Sequence, residues 1–245
     1  MPPLEVLSGS TLDLLALSPP GWGATLLHGL WNSILIAVGS YALGLLIGVG
    51  GAYGKLYGSP LTKDLLGIYT TLVRAVPEVV LILILYFAVT DAINGILLNL
   101  GYARIEISGV AAGIVVLGVV QGAYATEVLR GAILAVPNGQ IEAARAMGMP
   151  GMQIARRVVF PLMLAFAIPG MSNLWLIVTK DTALLAVVGF GELMHASRQA
   201  ASTTKAFFTF YLAAGVLYLM LSILSTILFA RIEKWARKGQ RRTGD

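Results

Sequence analysis

Five apolar stretches, each long enough to cross a lipid bilayer as a helix, constrain this chain more than any other feature of its sequence. They cover residues 24–53, 76–93, 108–131, 158–178 and 206–230. A membrane-spanning helix needs about 20 mostly apolar residues, and backbone polar groups in lipid must be hydrogen-bonded within the protein. The composition agrees, since 57% of the 245 residues are hydrophobic and only 12% are charged. The sequence therefore predicts an all-α polytopic membrane protein with about five transmembrane helices.

Two further apolar stretches do not fit a simple span. Residues 64–89 are too long, and Pro77 lacks an amide donor and clashes with the preceding helical turn. We therefore expect an interfacial elbow that ends near Arg74, followed by a span that begins near residue 76. Residues 180–194 are short and interrupted by glycine, which predicts a re-entrant or lumen-lining segment.

The basic residues orient the predicted spans. If the N-terminus lies outside, 13 of the 17 Lys and Arg residues fall on the inner side, as the positive-inside rule requires. We expect a periplasmic segment over residues 1–23, one membrane domain over residues 24–233, and a basic cytoplasmic tail over residues 234–245. The net charge of +5 then reflects topology and predicts no nucleic-acid partner. The C-terminus and the loop at residues 132–157 are placed in the cytoplasm.

Several kinds of chemistry are excluded or disfavoured by the residues present. The chain has no cysteine, and its two histidines, His28 and His195, are far apart, so we expect no metal site and no cofactor. No Ser/His, His-Glu-x-x-His or paired Asp arrangement lies within the spans, which argues against an intramembrane enzyme. No Gly-x-x-x-x-Gly-Lys-Ser/Thr sequence is present, so this chain is not expected to bind ATP.

The cytoplasmic loop contains a short helix with defined ends. Asn138 is a suitable N-cap, and residues 140–147 are rich in alanine. Glu142 lies in the first turn, where a carboxylate suits the helix dipole, while Gly148 can adopt the left-handed cap and Pro150 prevents continuation.

The surface of this helix favours contact with another protein. One side of the helix consists of Ala143, Ala146 and Met147 and is nearly smooth, so the backbone of a partner can approach closely, whereas interfacial helices carry bulky apolar residues to anchor in lipid. A helix that only lies against the headgroups is the alternative.

Charged residues within or near the spans have two interpretations each. Arg74 with Glu78, and Arg130 with Glu127, have the spacing of ion pairs on one helix face. Both carboxylates are candidates for a structural pair or for the substrate path, whereas Arg74 and Arg130 are interpreted as structural charges at the inner edge.

Asp181 precedes the interrupted segment, in the outer half of the membrane. There it could line the path of a cationic solute or act as the N-cap of the residues that follow. Asn173 is a weaker candidate for the same path.

Four sequence motifs in order resemble one family. "GQIEAARAMGMPGMQIARRVVFPLM" (residues 139–163) resembles the Glu-Ala-Ala loop of ATP-binding-cassette importer permeases. "RAVPEVVLILILYF" (74–87), "GAYATEVLRGAILAVPNGQIEAA" (122–144) and "KDTALLAVVGFGEL" (180–193) are similar to segments of its polar amino-acid branch. Ala75 and Val76 replace the usual Gly-Thr, and Ala183 replaces the usual Ser.

The resemblance implies a type I importer permease fold and a multi-pass subunit of the bacterial inner membrane. It implies transport of histidine, arginine, lysine, ornithine or opines together with a second permease subunit, a cytoplasmic ATPase dimer and a periplasmic binding protein. The helix with Glu142, Ala143, Ala144 and Gly148 would couple the chain to the ATPase. The alternative is a self-sufficient secondary carrier or channel, which usually has paired broken helices around a midplane site.

Overall fold

The computed structural model describes residues 13–104 and 108–236, and the regular structure of these residues is entirely helical. The α-helices in chain order are α1 (Gly23–Tyr57), α2 (Pro60–Ala75), α3 (Glu78–Asn99), α4 (Gly109–Leu134), α5 (Asn138–Ala146), α6 (Gly151–Ile154), α7 (Phe160–Asp181), α8 (Leu193–Thr204) and α9 (Phe207–Ala236). A π-helical turn, Ala155–Val159, joins α6 to α7, and a 3-10 helix, Thr182–Val187, follows α7.

Five helical segments in the described residues are long and apolar enough to span a membrane, which confirms the predicted number. They are Gly23–Tyr57, Glu78–Asn99, Gly109–Leu134, Gly151–Val187 and Phe207–Ala236. Each contains most or all of one predicted span. The orientation with the N-terminus outside stays a prediction.

Helices α1 and α4 pack together through small residues. A Cβ atom added to Gly44 would lie 2.8 Å from the Cβ of Gln121, and one added to Gly48 would lie 2.5 Å from the Cβ of Ala125. Such distances leave no room for a side chain, so the two backbones meet directly. This seam forms the centre of the described structure.

Helices α2 and α3 both pack along α4, one on each side of the break at residues 76–77, and the interfacial position expected of α2 stays a prediction. The hydroxyl group of Tyr69 donates a hydrogen bond to the carbonyl of Val119, in the middle of α4. Val73 is buried against Val120 and Ala123. The second half of α2 therefore rises beside α4, because its polar and apolar contacts lie there. The chain breaks at residues 76–77 and continues as α3.

The predicted interruption after α7 is present. The 3-10 helix Thr182–Val187 ends near Gly189, which has a φ of +91°, a conformation that favours glycine. Leu185, within this segment, is fully buried against α1 and α4. Helix α8, which the sequence alone did not indicate, then packs between α1 and α9.

Candidate functional site

Helix α5 follows α4 in the chain and contacts α6 and the π-helical turn, and it presents a polar, small-residue surface. Glu142 and Ala143 are exposed, whereas Ala144 is buried. The amide of Met149 donates to the carbonyl of Ala144 at 3.1 Å, and Gly148 has a φ of +76°. The left-handed conformation expected of Gly148 is therefore present and ends the helix.

The start of α5 differs from the prediction. Pro137 is the N-cap, and Asn138 is already the first helical residue. No side chain forms a capping hydrogen bond there. Proline fixes a φ near that of a helix and needs no amide partner, so it can begin the turn without the help of Asn138.

The break between α2 and α3 brings two acidic side chains together beside α4. The carboxyl group of Asp181, the last residue of α7, faces that of Glu78, the first residue of α3, closely enough for the two groups to interact. The hydroxyl group of Tyr124 also reaches Glu78, and the positive charge of Arg74 acts on this cluster. Two carboxyl groups so close either share a proton or bind a cation, because two negative charges repel each other.

The cluster lies near the middle of α4 along its axis. Tyr124 is ten residues, about 15 Å, from the end of α4 that leads to α5. Asp181 is partly buried, and Glu78 is partly buried as well. Sequence reasoning considered Glu78 and Asp181 separately, at opposite edges of the membrane, and it missed Tyr124.

The described residues Arg74 and Glu78 do not form the expected ion pair, whereas Glu127 pairs with Lys55 and with Arg130. The i,i+4 spacing is lost because Val76 and Pro77 are extended, with ψ angles of 138° and 134°. Arg74 and Glu78 therefore belong to two helices and do not share one helix face.

Asp181 does not act as an N-cap, which was the alternative to a role in the path. It has helical angles, with φ −67° and ψ −19°, and its side chain forms no capping hydrogen bond. Because α7 runs directly into the 3-10 helix, no free helix start is available at this position. The carboxyl group is thus available to Glu78.

Glu127 is the centre of a second charged cluster, nearer to α5. One carboxylate oxygen accepts from Arg130 at 2.8 Å and 3.1 Å, and the other accepts from Lys55 on α1. Lys55 also donates to the hydroxyl group of Thr70 on α2 at 2.7 Å. This network joins α1, α2 and α4. The sequence indicated Arg130 but not Lys55, because 72 residues separate Lys55 from Glu127.

Asn173 lies apart from both clusters. It is exposed on α7, eight residues or about 12 Å before Asp181. Its neighbour Trp175 packs edge-on against Tyr41 with ring centroids 5.4 Å apart. Among the described residues no group of three His, Asp or Glu side chains could hold a metal ion.

Comparison with known proteins identifies the family. Residues 40–238 match the model of the binding-protein-dependent transport system inner membrane component. The chain is 41% identical to the nopaline transport system permease protein NocQ of Agrobacterium fabrum, over 94% of this chain and 98% of that protein. It is 36% identical to the histidine/lysine/arginine/ornithine transport system permease protein HisQ of Escherichia coli, over 91% and 97% of the two chains.

Solved structures agree with this assignment. The crystal structure of an amino acid ABC transporter with histidines superposes with a TM-score of 0.77 at 25% identity, over 93% of this chain and 99% of that one. The methionine ABC transporter MetNI shares the fold, with a TM-score of 0.71 at 23% identity over 89% of this chain and 99% of that one. These matches favour a transporter subunit over a secondary carrier or channel. The chain belongs to the family of binding-protein-dependent transport system inner membrane components.

Proposed function

We propose that this chain is a permease subunit of an ATP-driven importer for basic amino acids or opines. The observation that carries the substrate class is the pair of carboxyl groups, Glu78 and Asp181, at the break between α2 and α3. The names of the similar permeases, which include nopaline and histidine/lysine/arginine/ornithine systems, point to the same class. The chain is a translocating subunit without catalytic residues of its own.

In the proposed path, Asp181 and Glu78 bind the cationic group of the solute. Two adjacent carboxyl groups attract a guanidinium or ammonium group, and Tyr124 can orient Glu78 through its hydroxyl group. Arg74 supplies a balancing positive charge.

Glu127 and Asn173 are less suited to this role. Both oxygens of Glu127 already accept hydrogen bonds from cationic side chains, so we assign Glu127 and Arg130 to the structure of the bundle. Asn173 is exposed and distant from the carboxyl pair.

We further propose that α5 docks on a separate cytoplasmic ATPase. Its exposed face carries Glu142 and Ala143, and Gly148 gives the chain a sharp turn. Two large apolar side chains beside this face, Met147 and Met152, are 83% and 80% exposed. Flexible, exposed methionines are typical of binding surfaces for another protein. A second permease subunit and a periplasmic amino-acid-binding protein complete the proposed assembly.

Uptake by the reconstituted complex tests the substrate assignment. Asp181→Asn and Glu78→Gln are expected to reduce uptake of arginine or an opine at least tenfold, since each removes one of the paired negative charges. Asp91→Asn is the matched control, because Asp91 is an exposed acid elsewhere on α3. If both site variants transported basic solutes as well as the control, the assignment of Asp181 and Glu78 would be wrong.

A further inference from the structure

Glu192 is a buried carboxylate that none of the roles above uses. Among the described residues it is the charged side chain with 0% exposure. Its oxygens accept hydrogen bonds from the amides of Met194 at 2.7 Å and His195 at 2.6 Å. The hydroxyl group of Tyr218 on α9 donates at 3.0 Å, and that of Ser33 on α1 lies at 3.5 Å. Four neutral donors from three helices therefore surround one acidic group.

The turn that carries Glu192 is also fixed directly to α1. The side-chain amide of Asn32 donates to the carbonyl of Gly191 at 2.7 Å. The amide of Leu193 donates to the hydroxyl group of Ser33 at 3.1 Å. A Cβ atom on Gly29 would lie 3.0 Å from the Cα of Leu193, so the backbones meet closely. The turn is thus held against α1 through both polar and steric contacts.

From Glu192 the contacts continue to the residue that follows Asp181. The hydroxyl group of Tyr218 lies 3.4 Å from that of Thr182. Thr182 is fully buried and donates to the carbonyl of Thr179 at 2.9 Å, across the end of α7. Each hydroxyl group has one proton, and those of Tyr218 and Thr182 go to Glu192 and to the Thr179 carbonyl, so the two hydroxyl groups meet as a close polar contact and not as a further hydrogen bond. A continuous series of contacts therefore links α1, α8 and α9 to the point where α7 ends.

We infer that Glu192 is a positioning residue, which acts through Tyr218 and Thr182 to hold the carboxyl group of Asp181 toward Glu78. This inference rests on the proposed role of Asp181 in binding the solute. It assigns Glu192 no contact with the solute itself.

The choice of side chain at residue 192 supports this role. If residue 192 served only to cap α8, Asp, Asn, Ser or Thr would be preferred there, since their short side chains reach the first amides of a helix. The longer side chain of Glu192 caps α8 and also reaches Tyr218 and Ser33. Glu192 forms no ion pair with any described residue, so its buried carboxyl group is stabilised by neutral donors alone. This arrangement costs more free energy than a residue that only caps α8 would require.

Two conservative variants separate positioning from folding. Tyr218→Phe removes the hydroxyl group that joins Glu192 to Thr182, and Glu192→Asp keeps an N-cap but withdraws the carboxylate from Tyr218. Each is expected to raise the solute concentration that gives half-maximal uptake about threefold to tenfold, the worth of one hydrogen bond. Maximal uptake, membrane yield and melting temperature should stay near those of the unmodified protein. Tyr211→Phe, at an exposed tyrosine on α9, is the matched control.

The double variant Tyr218→Phe/Asp181→Asn tests the link. If Tyr218 acts through Asp181, the hydroxyl group should matter little once the carboxylate is gone, so the effects on half-maximal concentration should not add. Additive effects, or single variants that lower only the melting temperature, would overturn the inference. If Asp181→Asn had a normal half-maximal concentration, the proposed role of Asp181 would instead be refuted. If Asp181→Asn impaired uptake while Tyr218→Phe and Glu192→Asp left it normal, only the positioning role of Glu192 would be refuted.

Discussion

Replacement of Glu127 by glutamine is expected to destabilise the joint between α1, α2 and α4. The side chains of Lys55 and Glu127 are only 16% and 18% exposed, so Lys55 would be left with a largely buried, unpaired ammonium group. Removing one partner of a buried pair costs about 3–5 kcal/mol, and we expect about 3 kcal/mol because Lys55 keeps its bond to Thr70. Arg130 adds at most about 1 kcal/mol, since its side chain is 37% exposed and water screens its charge.

Equilibrium unfolding in mild detergent, followed by tryptophan fluorescence, measures this effect. The set consists of Glu127→Gln, Lys55→Met, the double variant, and Lys63→Met as a control at an exposed lysine on α2. The loss in free energy of unfolding in the double variant should be smaller than the sum of the two single losses by about 2 kcal/mol, because the double variant leaves no unpaired ammonium group. The control should change the free energy of unfolding by less than about 0.5 kcal/mol. Additive single effects, or a loss below about 0.5 kcal/mol for Glu127→Gln, would refute the reasoning.

Three further outcomes are expected. Gly48→Leu should prevent assembly of the bundle, since even a Cβ atom would lie 2.5 Å from that of Ala125; normal yield and melting temperature would contradict this packing. Burial raises the pKa of Glu192, which lies outside the five spans, from 4.5 to about 7. Its protonated form therefore favours the folded state below about pH 4.5, and this contribution is lost as the pH rises through about 7. The melting temperature should fall from pH 5 to pH 8 more steeply than that of Glu192→Gln, and equal slopes would contradict this. Because the chain has no cysteine, Asn138→Cys and Lys205→Cys should be labelled only from the inner and outer side, respectively; the reverse pattern would invert the predicted orientation.

The spans could be predicted from the sequence because their signal is local. A run of about 20 apolar residues has few stable conformations other than a membrane helix. The packing of α1 against α4 follows from the same kind of signal, since Gly44 and Gly48 lie on one helix face. The end of α5 at Gly148 was predictable because a left-handed residue before a proline favours glycine.

The functional cluster could be predicted only in part, because its geometry depends on contacts distant in sequence. Pro77 indicated a break, but nothing local showed that the extended residues 76–77 separate Glu78 from the helix face of Arg74. Glu78 was therefore matched to Arg74, four residues away. Its actual neighbour, Asp181, is more than 100 residues further along the chain. Glu192 was overlooked because an acidic residue in an apolar stretch does not reveal which hydroxyl groups surround it.

The central claim, that α5 couples this permease to a separate ATPase, is tested most directly by Glu142→Lys in proteoliposomes that contain the whole transporter. Glu142 is exposed in the first part of α5, so its reversal should alter the docking face without disturbing the fold. Asp64→Lys, an equal charge reversal at an exposed residue of α2, is the control. We expect Glu142→Lys to insert into the membrane normally but to lose solute-stimulated ATP hydrolysis and ATP-driven uptake, while the control keeps both. Full stimulated hydrolysis and uptake by Glu142→Lys, or uptake by this chain alone without any ATPase, would contradict the claim.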